Sequence, residues 1–490
     1  MKTVQSTNAR TGEPMGAPLM AHTPEQVDQA AEAAALAFAV WQASAGGQRA
    51  LLLRGLASAL EGDREGLVAL ADEETALGPV RLNGELDRTA FQLRRFADMA
   101  EAGVPFDRTD DPAVAGAPPV GHPAMVRQRV PLGPVAMFSA SNFPFAFSVL
   151  GGDTASALAA GCPVVVKAHT GHLLLSNRVM GLVQKVLEAQ NLPKGLISMV
   201  QGGGSDVGVR LVQHTSIAAG AFTGSTRGGA ALQAVANARP RPIPFYGELG
   251  SINPVIALPA LLATKGAELA ATLAGSIALG CGQFCTSPGV IVLIKDPASD
   301  AFVQQLTTAL TAQKPHAMLT PGMRQAFDAG VDHLIAAGGK PILQEPGSTE
   351  APRPFLAQVD AVHLIAKAAL REEVFGPASL IVWADSVAQT LEVLQAVGGS
   401  LTVTLWGAET ETDDARALVR GAMAIAGRVL FAGVPTGVAV SAGQQHGGPW
   451  PSSTQPMTTS VGDAAIDRFL RPVCLQDAPV WVLARQGRPC

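Results

Sequence analysis

Apolar residues recur at helical spacing over 24–43, and Thr23-Pro24-Glu25 supplies a cap followed by proline in the first turn. The spacing predicts a helix there, a second over about 48–60 and a third over about 63–75. Residues 107–122 are rich in Pro, Asp, Gly and Ala and read as an exposed connection. Positions 125–130 alternate apolar with charged or polar residues, the pattern of a half-exposed strand. Short apolar runs then alternate with helical stretches. Strands are expected at 135–138, 163–167, 197–200 and 217–222, and helices at 153–160, 173–189, 208–214 and about 228–238. That alternation predicts a parallel sheet with helices on both faces. It resumes after Glu248 with a strand at 254–257, a helix through 269–279 and a strand at 289–294, so a second α/β domain is expected.

Composition narrows the class. A chain of 490 residues suggests two or three domains, and 48% hydrophobic against 15% charged residues calls for large buried interiors. The net charge of −5, with no basic run or interleaved aromatic pattern, gives no reason to expect nucleic-acid binding. Residues 1–6 lack the apolar centre of a signal peptide, and no uncharged apolar stretch suits a membrane span. No membrane association and a cytoplasmic location are therefore expected. The five cysteines (Cys162, Cys281, Cys285, Cys474 and Cys490) show neither metal spacing nor a disulfide framework. A reducing compartment would keep a working thiol free.

Most of those cysteines read as small buried hydrophobes. The setting Gly282-Gln283-Phe284-Cys285-Thr286, downstream of Glu248-Leu249-Gly250, instead suggests a thiol nucleophile with a carboxylate to activate water. Cys281 would lie one helical turn from Cys285 if the segment were helical, and reads as packing. Ser139-Ala140-Ser141-Asn142-Phe143-Pro144 follows a buried strand, where ligands bind in open α/β sheets. Asn142 could hold an oxyanion or merely make a turn. Lys167 ends the next strand and could reach cofactor hydroxyls or phosphate, or be a solvated strand end. The turn 201–208, with Gly204 and Gly208, is a weak phosphate signal. Ser225 stands at a helix N-terminus that favours an anion. No His/Cys/Asp cluster offers a metal site, and 5% aromatic residues disfavour a pocket walled by stacked rings.

In this order the pieces resemble the aldehyde dehydrogenase superfamily over roughly 23–471. Six separated motifs carry the likeness: 141–144, the strand ending at Lys167, Phe-Thr-Gly-Ser at 222–225, Glu-Leu-Gly at 248–250, Gly-Gln-Phe-Cys-Thr at 282–286 and Glu-Glu-Val-Phe-Gly-Pro at 372–377. The resemblance implies two Rossmann-type α/β domains plus a small β oligomerisation extension. It divides the chain into a cofactor-binding domain (1–110 and 131–247), a catalytic domain (248–455) and the extension (111–130 and 456–490), with 125–130 and 473–483 as its candidate strands. Homodimers or homotetramers follow from the same likeness. Cys285, Glu248 and Asn142 match the catalytic positions. Ser139, Lys167, His169, Thr170, Gly204, Gly208, Ser225 and Leu249 fall where the cofactor binds, Glu373 matches the ribose-holding residue and Phe375 the residue packed beside the nicotinamide.

Three departures stand out. The Pro-Trp that usually precedes the oxyanion Asn is Ala140-Ser141. Glu-Leu-Gly-Gly-Lys reads Glu248-Leu249-Gly250-Ser251-Ile252. Thr170 replaces the glutamate that many NAD-preferring members carry, which favours NADP, with NAD as an alternative. Residues 151–164 and 251–255 are similar to the branch of α-ketoglutaric semialdehyde dehydrogenases and bacterial NADP-dependent fatty aldehyde dehydrogenases. The implied reaction is oxidation of an aldehyde through a thiohemiacetal and thioester on Cys285, with 2,5-dioxopentanoate as the leading substrate. The alternatives are a broad-range aldehyde dehydrogenase, thioester release to coenzyme A or phosphate, which Glu248 argues against, and a catalytically silent binding protein on the same fold.

Overall fold

The computed structural model describes residues 2–348 and 351–483. Cys490 and the last residues of the expected extension lie outside them. Two parallel sheets organise the chain. The first has five strands in the order Ile197–Val200, Val164–Lys167, Val135–Phe138, Ala219–Thr223, Phe245–Glu248, all parallel. Chain order therefore reverses at Val135–Phe138. All of these strands present their C-terminal ends, and so Ser139, Lys167, Ser225 and Glu248, to one edge of the sheet, where such sheets bind ligands.

The second sheet has seven strands and centres on Val255–Ala257 and Val290–Ile294. Its strands are parallel except Lys340–Gln344, which runs antiparallel at one edge. The β-branched runs at its centre are fully buried, as expected for strands covered on both faces. A third, antiparallel sheet joins Leu470–Gln476, Met125–Pro131 and Thr109–Asp111. The aldehyde dehydrogenase-like arrangement of two Rossmann-type units and a smaller sheet is thus present.

Several expectations need correction. An N-terminal hairpin, Thr3–Thr7 with Pro14–Met20, precedes the first helix and was not legible in a five-residue polar strand paired with one broken by Gly16 and Pro18. The 23-residue helix Pro79–Glu101 was also missed. It buries Glu85, Thr89 and Gln92 along with Leu82, Leu86 and Leu93, and polar residues on the buried face blur an amphipathic pattern. The helix expected at 269–279 spans Pro259–Ala278. Part of the supposed connection, Thr109–Asp111, is a strand. The C-terminal strand begins at Leu470 and ends at Gln476, and Val480–Leu483 is a helical turn rather than strand.

Residues 456–469, expected in the extension, run back against the first unit. There Arg468 Nη2 donates to Asp153 Oδ1 at 2.6 Å, a pair in which both side chains are buried. Removing one member of such a pair typically costs about 3–5 kcal/mol, because the other charge is left uncompensated. The contact ties the Gly152–Ala160 helix to the turn that precedes Leu470–Gln476. It also fixes the return path that carries Ser460 to the end of strand Phe245–Glu248.

Candidate active site

Cys285 stands on a loop that leaves the helix Pro259–Ala278 by three successive left-handed residues, Gly280, Cys281 and Gly282, with φ of 53°, 59° and 65°. This corrects the helical spacing considered for Cys281 and Cys285. Cys281 turns into the core of the second unit, where burial pushes its thiol up to about 12. Glycine at 282 is required twice over. Its φ suits glycine, and a Cβ there would sit 2.3 Å from the Gly376 carbonyl carbon. That close approach brings the 282–286 and 372–377 motifs into contact.

Buried amides hold the loop. Asn253 Nδ2 donates to the carbonyls of Cys285 and Ser287, each at 2.9 Å, and Asn253 Oδ1 accepts from the Ser251 hydroxyl at 2.8 Å. Ser251 Oγ in turn accepts from Leu401 N–H at 2.9 Å. The unusual Ser251-Ile252 sequence therefore supplies a structural node between the loop and the second sheet. Gln283 Oε1 accepts from Leu319 N–H at 3.0 Å, and the Gln283 carbonyl accepts from Asn142 Nδ2 at 2.9 Å. Asn142 is thus beside the loop, with one amide hydrogen engaged and one left for a ligand.

Glu248 closes its strand opposite the loop. An isolated bridge to Ser453, with Leu249 N–H donating to the Ser452 carbonyl at 2.9 Å, draws the 446–460 segment across the strand end. That segment delivers His446, which the sequence reading missed. His446 Nε2 lies 2.9 Å from Glu248 Oε1 and 3.6 Å from Cys285 Sγ, and both His446 and Glu248 are buried. The contact with Oε1 is close but not aligned as a hydrogen bond. Ser460 Oγ donates to the other carboxylate oxygen. Thr459 Oγ1 accepts from His446 N–H at 2.8 Å, and the His446 carbonyl accepts from Ser460 N–H at 2.8 Å, which fixes the ring's base.

Burial alone would raise the Glu248 carboxyl, but His446, Ser460 and Cys285 outweigh it and hold the group below its ordinary range. Burial and the neighbouring Glu248 charge push the Cys285 thiol well above its ordinary value. The resting site is therefore a protonated thiol beside a carboxylate that can accept its proton, with imidazole between them.

Glu248, Cys285 and His446 form a compact cluster whose ligand atoms lie within 4.8 Å of one another. Residues far apart in sequence compose it, so spacing could not reveal it. Phenylalanines also cluster here despite their scarcity: Phe143 meets Phe147 and Phe284 edge-on, with centroids 5.2 and 5.4 Å apart.

The cofactor side shows groups that fit a dinucleotide. Ser139 Oγ is buried with no partner among the described residues. The Lys167 ammonium has none either, and burial lowers its pKa. Gly204, at φ 73°, turns in the open, whereas Gly208 is buried, where a Cβ would press within 2.9 Å of the Phe138 ring. Gly208 therefore lets its helix approach the sheet. Ser225 caps the helix Thr226–Asn237, and Leu249 is buried next to that helix at Gly229.

Thr170 is exposed at the start of a 3-10 turn. His169 Nδ1 accepts from Gly171 N–H at 3.0 Å, and burial, with His172 and Lys167 nearby, lowers the ring to about 3. His169 is therefore a neutral, polar neighbour of Lys167. Glu373 and Phe375 line a small cleft with Ser251 and Phe284. Desolvation of its carboxyl raises Glu373 to about 7, against a hydrogen bond from Ser251 N–H, although the residue keeps an exposed surface.

The sequence profile of the aldehyde dehydrogenase family matches residues 1–470. The chain is 41% identical to an alpha-ketoglutaric semialdehyde dehydrogenase of Acinetobacter baylyi, over 99% of this chain and 94% of that one. It is 42% identical to alpha-ketoglutaric semialdehyde dehydrogenase 2 of Azospirillum brasilense, over 97% and 92%. Among solved structures it resembles PnpE in complex with nicotinamide adenine dinucleotide, with a TM-score of 0.81, 24% identity and coverage of 98% and 95%.

His446→Gln tests the electrostatics. Without the His446 side chain, burial of Glu248 is less opposed and its pKa rises, so the acid limb of the kcat–pH profile should move to higher pH. An unmoved limb would show that His446 does not govern the carboxylate.

Proposed function

The chain belongs to the aldehyde dehydrogenase family, and we propose that it oxidises 2,5-dioxopentanoate to 2-oxoglutarate with NADP as the preferred cofactor. The coarser activity, NAD(P)-dependent oxidation of an aldehyde to an acid through a catalytic cysteine, comes with the family. The finer substrate rests on identity of 41–42% over nearly the whole chain to two enzymes named for that semialdehyde.

The geometry is consistent with the following roles. Cys285 gives up its proton to the Glu248–His446 pair and its sulfur bonds to the aldehyde carbon. The free amide hydrogen of Asn142 and the Cys285 backbone N–H hold the oxyanion that forms. A bound nicotinamide would supply the hydride acceptor needed to turn the thiohemiacetal on Cys285 into a thioester. The proton taken from Cys285 passes to solvent, and Glu248, again a carboxylate and backed by His446, then takes a proton from water as it adds to the thioester carbon. The acid leaves and the Cys285 sulfur is released. One aldehyde, one oxidised cofactor and one water give one carboxylate, one reduced cofactor and two protons.

We assign Glu373 to the ribose and Phe375 to the nicotinamide ring, with Ser139, Lys167 and Ser225 toward the phosphates and adenosine. Preference for NADP rests on Thr170, a neutral and exposed donor where a carboxylate would repel a 2′-phosphate, and on the cation at Lys167. The three-stranded antiparallel sheet is proposed as the surface for self-association into a dimer or tetramer. No described helix is long and apolar enough to cross a membrane.

The edge-on phenylalanines favour one competing reading, a broad-range enzyme for apolar aldehydes, and a panel of kcat/KM values separates the two. The five-carbon keto-aldehyde should exceed hexanal and benzaldehyde. A tenfold advantage for either of those, about 1.4 kcal/mol of transition-state preference, would reverse the assignment. Thr170→Glu should raise the KM for NADP far more than that for NAD. Equal effects on both would show that Thr170 does not meet the phosphate.

A further inference from the structure

The helix Pro79–Glu101 turns an unusual face toward the Cys285 loop. Arg81, Glu85, Arg88 and Gln92 succeed one another at spacings of three and four residues, so they share one side of it. Buried polar atoms on all four, Arg81 Nη1, Glu85 Oε2, Arg88 Nε and Nη2, and Gln92 Nε2, have no hydrogen-bond partner among the described residues. Leaving one such atom unsatisfied costs about 1–3 kcal/mol, and more when it is charged. A stripe of them on one helix face marks a place where something polar is expected to bind.

Two of the four have structural duties. Arg81 Nη2 donates to the Asn142 carbonyl at 2.6 Å, and its guanidinium lies over Phe284 at 4.5 Å and Phe143 at 5.1 Å. Arg81 therefore braces the loop. Glu85 Oε1 accepts from Phe145 N–H at 2.8 Å and Ala146 N–H at 3.0 Å, holding the segment after Asn142. Arg88 has no such duty. Its guanidinium lies 5.5 Å from the centre of the Phe147 ring, within the cluster Phe143, Phe147 and Phe284 that adjoins Cys285.

The free atoms of Arg88 are the informative detail. Nε and Nη2 form one edge of the guanidinium, with two parallel N–H groups that match a carboxylate. Elsewhere in this chain the same edge grips carboxylates: Arg95 on Asp463, Arg178 on Asp63 and Arg210 on Asp28. At Arg88 that edge is buried and empty. Charge points the same way, because Arg81 and Arg88 share the single facing carboxylate of Glu85. Arg88 is also near enough to the reacting groups to feel Cys285 and Glu248.

We propose that the Nε–Nη2 edge of Arg88 is the specificity subsite that binds the distal carboxylate of an ω-carboxyl aldehyde while its carbonyl carbon meets Cys285. The inference rests on the reading of the site as an acid-semialdehyde dehydrogenase, and it names the residue that selects that substrate class. The Phe143–Phe147–Phe284 cluster lines the intervening methylenes and keeps water from the paired charges.

The test uses the full-length protein with NADP and three aldehydes of one chain length: 2,5-dioxopentanoate, 5-oxopentanoate and pentanal. Arg88→Met should lower the kcat/KM ratio of each acid over pentanal by at least about 30-fold, with Arg88→Lys between it and the parent. Calorimetric titration with glutarate should show a matching loss of affinity. Because Arg88→Met strands Glu85, the double variant Arg88→Met/Glu85→Gln, which removes both charges, is measured beside it. If a folded variant keeps the acid-over-pentanal ratio within threefold of the parent, or if the parent neither binds glutarate nor favours the acids, the subsite assignment is overturned. If the parent prefers 5-oxopentanoate to 2,5-dioxopentanoate but loses its acid preference in Arg88→Met, Arg88 stands and the assigned substrate falls.

Discussion

A carboxylate kept ionised in a dry place is the constraint around which the rest of this site is built. Burying a lone carboxylate costs several kcal/mol after relaxation, enough to protonate it at neutral pH. A hydrogen bond to a charged group returns about 1.5–3 kcal/mol, so one donor would not suffice. Glu248 has Ser460 on one oxygen and His446 beside the other. Both come from a segment more than 190 positions further along the chain, pinned there by backbone pairing at Ser452 and Ser453 and by the buried Arg468–Asp153 pair. The packing of the C-terminal return is therefore part of the electrostatics of the thiol.

The backbone imposes the second constraint. Three left-handed residues in succession carry the chain from helix to loop and point Cys281 inward and Cys285 toward Glu248. Such a bend is costly for any residue but glycine, and Cys281 tolerates it only because the surroundings over-determine it. Asn253, Gln283 and Asn142 supply that determination through buried amide hydrogen bonds to the loop. Dense packing around the loop gives a nucleophile whose position does not depend on bound substrate.

Much of this was legible in the sequence. Strand 135–138, strand 197–200 and helix 173–189 were read to the residue, since short mostly apolar runs between helices and a long 3.6-residue period are strong local signals. The residues at strand ends were found because strand ends of parallel sheets bind ligands. What escaped were residues whose role depends on distant partners. His446 stands in a Gly- and Pro-rich stretch with no periodicity, and only the folded chain puts it between Cys285 and Glu248. The helix Pro79–Glu101 escaped for the reason that now makes it interesting: its buried face carries Arg and Glu where local reasoning expects Leu.

The central claim is that sulfur and carboxylate act in sequence, Cys285 to capture the aldehyde and Glu248 to release the acid. Rapid-mixing kinetics on Glu248→Gln measure this most directly. The account predicts a single-turnover burst of reduced cofactor followed by a stall, with the acyl group retained on Cys285 and recoverable by mass spectrometry. Steady turnover at the parent rate, with water as the acceptor and no acylated protein, would contradict it.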